Sequence, residues 1–157
     1  MAFAHAASGG GVSQGSPSIL TVPQSAAEST VDARSASTIS GFIAAGRCVV
    51  QQGDVSELRL PGESFDLATA FETVYFWPGI ENCFAQVAKI LKPGACFLIC
   101  NEADGIDAGT LRFEKIIDGM KVYTAEDLEA ALRKAGFTEV NHDHHASKPW
   151  ITVLARK

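Results

Sequence analysis

Three short runs pass from apolar residues straight to a carboxylate or an amide: "RCVVQQGDV" at 47–55, "SFDLATAFETVYFW" at 64–77 and "ACFLICNEAD" at 95–104. The residues at the turning points are Asp54 and Val55, Phe71 and Glu72, and Asn101 and Glu102, with Tyr75, Phe76 and Trp77 just past the second. Directed hydrogen-bonding groups beside small or aromatic surface are what a site for a small organic ligand needs. Each also has a plainer reading. Glu72 either enters a site or marks the end of burial and caps the next turn. Tyr75, Phe76 and Trp77 either wall a pocket or pack in the core. A separate group, "HDHH" at 142–145, places His142 and His144 on one side of a strand. Two imidazoles fall short of the four ligands of a structural zinc site, so a solvated edge strand and no metal are expected.

The three turning points share one site only if the fold brings them together. The run 47–54 reads as a short strand. The run 64–72 reads as a buried one, because its apolar residues do not alternate cleanly. "GIENCFAQVAKILKPG" at 79–94 has apolar residues at helical spacing, cations near its end and Pro93-Gly94 to stop it. "ACFLIC" is a third buried strand. "TAEDLEAALRKAGF" at 124–137 is a second helix, with Thr124 as cap and Asp127 closing a box. Residues 138–146 and 150–157 form an antiparallel hairpin across "SKP". Buried strands alternating with helices predict an α/β fold, a mainly parallel sheet flanked by helices with that hairpin at its end. In such sheets ligands bind outside the carboxyl ends of the strands.

Composition narrows the partners. The 157 residues predict one domain, and the net charge of −5 gives no basic field for nucleic acid. No apolar run approaches the roughly 20 residues of a membrane span. The first residues have no basic segment followed by an apolar core, so no secretory signal is expected. Cys48, Cys83, Cys96 and Cys100 contain no C-x-x-C pair, which predicts buried thiols in a reducing cytoplasm. Of residues 1–46, 25 are Ala, Ser or Gly. That segment is expected to be only partly ordered, with a strand at 18–22 and a helix over 25–46 capped by Ser25. Residues 47–157 form the α/β domain.

From Gly53 to Gly105 the sequence resembles the second half of a class I S-adenosylmethionine-dependent methyltransferase. The resemblance is carried by the order "GDV", a short Leu/Pro stretch, "SFDLA", and an amphipathic helix ending in "LKPGA" before a strand. It implies S-adenosylmethionine as cofactor and a small molecule as methyl acceptor. It also implies that Asp54 accepts from the adenine amino group and that the Val55 amide faces the adenine ring. Phe71 and Glu72 would lie beside the cofactor. Tyr75, Trp77, Asn101 and Glu102 would face the acceptor. Asp66 matches a frequent acid opening the strand, equally readable as a structural turn. Methyl transfer from a sulfonium is an in-line displacement that needs chiefly positioning, so the resemblance assigns no catalytic residue.

The sequence departs from that family at its start. The family's first strand carries an acid and then a Gly-x-Gly loop against the cofactor, where glycine lets the backbone approach closely. Here the glycine cluster "SGGGVSQG" follows "AFAHAA", which has no acid and is not a convincing strand. It also leaves too little room for a crossover helix before Ile19. "ILTV" is followed by Pro23-Gln24 where the family has a ribose-binding acid. The N-terminal third therefore reads as truncated, scrambled or replaced, and cofactor binding as impaired. A sheet without its central strand would expose an apolar edge, through which the chain would form a homodimer or act as a catalytically silent interaction module.

Overall fold

A computed structural model describes residues 3–7, 18–23, 40–41, 43–45 and 48–157. Seven strands form one sheet: β1 (Phe3–Ala7), β2 (Ser18–Pro23), β3 (Cys48–Gly53), β4 (Phe65–Phe71), β5 (Leu91–Asn101), β6 (Glu139–His144) and β7 (Ile151–Arg156). Their spatial order is β3-β2-β1-β4-β5-β7-β6. Helix α1 (Ile80–Ile90) joins β4 to β5, and a short α2 (Ala108–Leu111) and α3 (Ala125–Lys134) lie between β5 and β6.

Helix α1 forms because Cys83, Phe84, Val87 and Ile90 recur on one face, and all four are buried. It ends earlier than the sequence suggested. Leu91 already begins β5, since Lys92 precedes Pro93 and is disfavoured in helical backbone. Helix α3 starts as expected, at a full capping box between Thr124 and Asp127. Trp77, Phe84 and Phe97 pack as one aromatic cluster, Trp77 stacking on Phe97 at 6.2 Å and meeting Phe84 edge-on at 5.9 Å. Asp66, at the amino end of β4, is ion-paired with Lys92 at 2.9 Å, which favours its structural reading.

Two expectations are corrected. The sheet is mixed rather than mainly parallel: only β2–β3 and β4–β5 pair in parallel, and the other four neighbouring pairs are antiparallel. The edge of β4 is not left without a partner strand either. Phe3–Ala7, which looked unconvincing as a strand, lies between β2 and β4 with Phe3 opposite Phe71 and Ala7 opposite Leu67. The basis for an open central edge is therefore gone, and the outermost strands are β3 and β6. The helix expected over 25–46 falls mostly outside the described residues; positions 40–41 and 43–44 are helical. Among the described residues, no helix is long and apolar enough to cross a membrane.

Candidate functional site

Strands β3, β4 and β5 run in the same direction, because β1 is antiparallel to both β2 and β4. Gly53, Phe71 and Asn101 therefore end at one edge of the sheet, and Asp54, Glu72 and Glu102 follow them there. Glu72 and Asn101 are immediate neighbours. Asp54 is further off: three strand spacings of about 4.8 Å place it roughly 14 Å along the edge from β4.

Glu72 is the hinge of the site. Its backbone is left-handed, with φ of 55°, a region that non-glycine residues enter at a cost of about 1 kcal/mol or more. Two bonds hold it there. Its N–H donates to the Cys100 carbonyl at 3.0 Å. Its Oε1 accepts from the Glu102 N–H. Burial pushes the Glu72 carboxyl above the usual range and the Glu102 charge adds to this, while the Glu102 N–H and the nearby Tyr75 hydroxyl pull it back.

Past Glu72 the chain makes a 3-10 turn, Val74–Phe76, which carries Tyr75 and Trp77 inward. Tyr75 is 3% exposed, and its hydroxyl accepts from the Ala103 N–H at 2.9 Å. Its carbonyl accepts from the Lys121 N–H at 2.8 Å, so one residue ties down both ends of the segment after β5. Burial also raises the Tyr75 phenol. Trp77 is 4% exposed within the aromatic cluster, a core position rather than a pocket wall.

An open cleft of about 200 Å³ lies at the ends of β4 and β5, lined by Phe71, Glu72, Asn101, Glu102, Trp150 and Thr152 among others. Trp150 and Thr152 were missed in the sequence. The signal was there: a terminal hairpin antiparallel to β5 sets Ile151 opposite Asn101, so the residue before it arrives at the carboxyl edge. Asn101 is 2% exposed, and neither atom of its amide has a partner among the described residues.

At the far end, Asp54 caps the turn Val55–Glu57. Its Oδ1 accepts from the Ser56 hydroxyl at 2.7 Å and the Ser56 N–H at 2.8 Å, and these bonds hold its carboxyl below the usual range. Val55 is buried. His145 meets Trp150, a wall of the cleft, edge-on with ring centroids 5.4 Å apart. His142 and His144 do share one side, rings 5.7 Å apart, and His142 lies 3.7 Å from Glu129. Among the described residues no group of three or more potential ligands is arranged to hold a metal ion.

A family model described as a methyltransferase domain matches residues 19–99, more than half of the chain. The chain belongs to the methyltransferase domain family. The match runs from β2 into β5, stopping at residue 99, and does not include β1. A sterol 24-C-methyltransferase of Clavispora lusitaniae is 30% identical over 118 residues, 66% of this chain and 31% of that protein. The chain thus spans about a third of the length of the curated relatives it matches. Among solved structures, a SAM-dependent methyltransferase of Thermotoga maritima superposes with a TM-score of 0.63 at 20% identity, over 80% of this chain and 70% of that one. The [4+2]-cyclase SpnF superposes at 0.68 with 18% identity, over 87% of this chain and 65% of that one. At such identities the likeness is one of fold, and a fold hosts more than one chemistry.

Proposed function

We propose that this methyltransferase domain transfers a methyl group from S-adenosylmethionine to a small-molecule acceptor. The observation that carries the reading is the shared direction of β3, β4 and β5, which sets Asp54, Glu72 and Glu102 along one edge of a sheet matching the family. The residues fit the cofactor at one end. Asp54 is an exposed acceptor followed by a backbone turn, suited to the adenine amino group with Val55 beneath it. Phe71 and Glu72 would flank the middle of the cofactor. Asn101, Glu102 and Trp150 would face the acceptor, with Tyr75 beside Glu72. The cofactor, when bound, supplies a methyl on a sulfonium that needs no further activation. The chain's own part is to orient the two molecules and exclude water. The free thiols of Cys83, Cys96 and Cys100 support a cytoplasmic location.

The other end of the cofactor fits poorly. Ala7 lies opposite Leu67 and Ser18 opposite Cys48, so the chain leaves β1 and enters β2 at the edge away from Glu72. β1 therefore brings no carboxyl end to the edge where Glu72 lies. This favours a second reading, a catalytically silent module that acts through contacts with another chain or a second copy. Calorimetric titration of S-adenosylhomocysteine separates the two. Binding that weakens in Asp54→Ala supports methyl transfer. No binding at millimolar ligand, with a dimer by light scattering, supports the silent module.

A further inference from the structure

The cleft at the ends of β4 and β5 presents two carboxylates and, among the described residues that line it, no basic side chain. Glu72 and Glu102 enter no ion pair among the described residues. What holds the Glu72 carboxylate is a neutral amide, the Glu102 N–H, which orients the acid without cancelling its charge. The remaining walls are the rings of Phe71 and Trp150 and the uncharged Thr152. Trp150 already draws a cation, the Lys148 ammonium lying 3.7 Å from its ring centroid. Two acids beside an indole ring set negative charge next to an apolar surface. An anion placed there would meet two like charges, and a neutral alcohol would gain no charge attraction from either acid.

We propose that this cleft binds the ammonium group of an amine-bearing acceptor, Glu72 and Glu102 supplying the counter-charge and Trp150 and Phe71 enclosing its apolar body. Calling the guest an acceptor rests on the methyl-transfer reading; recognition of the ammonium does not. Position along the edge separates the guest from the adenine of the cofactor. Adenine at Asp54 would lie over β3, whereas the cleft spans β4, β5 and β7, on the far side of β4 from Asp54.

The test uses three probes with one body and different charge: 2-phenylethylamine, 2-phenylethanol and phenylacetate, each titrated into the full chain by calorimetry. The amine is expected to bind at least tenfold more tightly than the other two. That preference is expected to collapse in Glu72→Gln and in Glu102→Gln, with circular dichroism verifying the fold. Glu102 is exposed, so its variant carries the test should Glu72→Gln misfold. Equal binding of the three probes, absence of amine binding, or selectivity unchanged in the folded variants would overturn the proposal. A cofactor arm titrates S-adenosylmethionine against S-adenosylhomocysteine, which lacks the sulfonium. If Glu72→Gln abolishes a preference for the sulfonium and spares that for the amine, the acids serve the cofactor and the proposal falls. Amine selectivity without any S-adenosylhomocysteine binding sustains the ammonium site and removes the methyl-transfer reading. The reverse result overturns the ammonium site alone.

Discussion

Replacing Tyr75 by Phe removes a single oxygen from the interior. That oxygen satisfies the Ala103 N–H at 2.9 Å, and both residues are buried. In the variant the Ala103 N–H loses this partner. A buried donor left unsatisfied costs about 1–3 kcal/mol. The lost contact with Glu72 adds less, because that carboxylate is only half-buried and water can substitute. A total of about 2 kcal/mol is a sizeable share of the 5–15 kcal/mol typical of a domain. For a chain of this length it lowers Tm by roughly 4–8 °C. Urea unfolding followed by tryptophan fluorescence measures the loss directly. A second readout is specific to the site: the hydroxyl pulls the Glu72 titration down, so carboxyl carbon NMR should find Glu72 titrating at higher pH in the variant. A Tyr75→Phe chain as stable as the parent, with Glu72 unmoved, would refute the account of how the strand ends are held.

Three further expectations can be checked with the same material. The Thr73 hydroxyl is buried without a partner among the described residues, so isosteric Thr73→Val should raise stability by about 1 kcal/mol in urea titrations; a loss of stability would contradict that burial. Glu72 carries a raised carboxyl, so the folded chain binds an extra proton between the ordinary glutamate value and the raised one, and stability falls as pH rises through that window. Glu72→Gln, which keeps an acceptor for the Glu102 N–H, should therefore melt higher than the parent at pH 7 and equal it near pH 4. The Cys83 thiol donates to the Pro78 carbonyl at 3.0 Å, and burial pushes it up to about 11. Iodoacetamide at pH 8 should leave Cys83 unmodified in the native chain and label it in urea, as read by peptide mass spectrometry.

From Cys48 onward the fold was legible because local and tertiary signals agree. The stripe Cys83-Phe84-Val87-Ile90 and the box Thr124–Asp127 each specify a helix on their own. The polarity of β1 was not legible. Ala and His have little intrinsic preference for strands, and Phe3–Ala7 is held by its ladders to β2 and β4, pairings that no local pattern encodes. The candidate site was half legible. Apolar runs ending in Asp54, Glu72 and Asn101 come to one edge of the sheet, as their pattern predicts. The sequence could not show that the 3-10 turn after Thr73 sends Trp77 into the core, because direction after a strand end depends on the backbone of one or two residues. The left-handed Glu72 that sets this direction is of a type that glycine or asparagine usually announces.

That backbone state has an implication for engineering. Glycine or asparagine at position 72 would relax the main chain and remove a half-buried acid in one substitution, so screens that reward thermal tolerance will tend to discard this glutamate. A hyperstable descendant of the chain would then lack one of the two carboxylates that line the cleft. Ligand discovery should accordingly begin from the unimproved sequence.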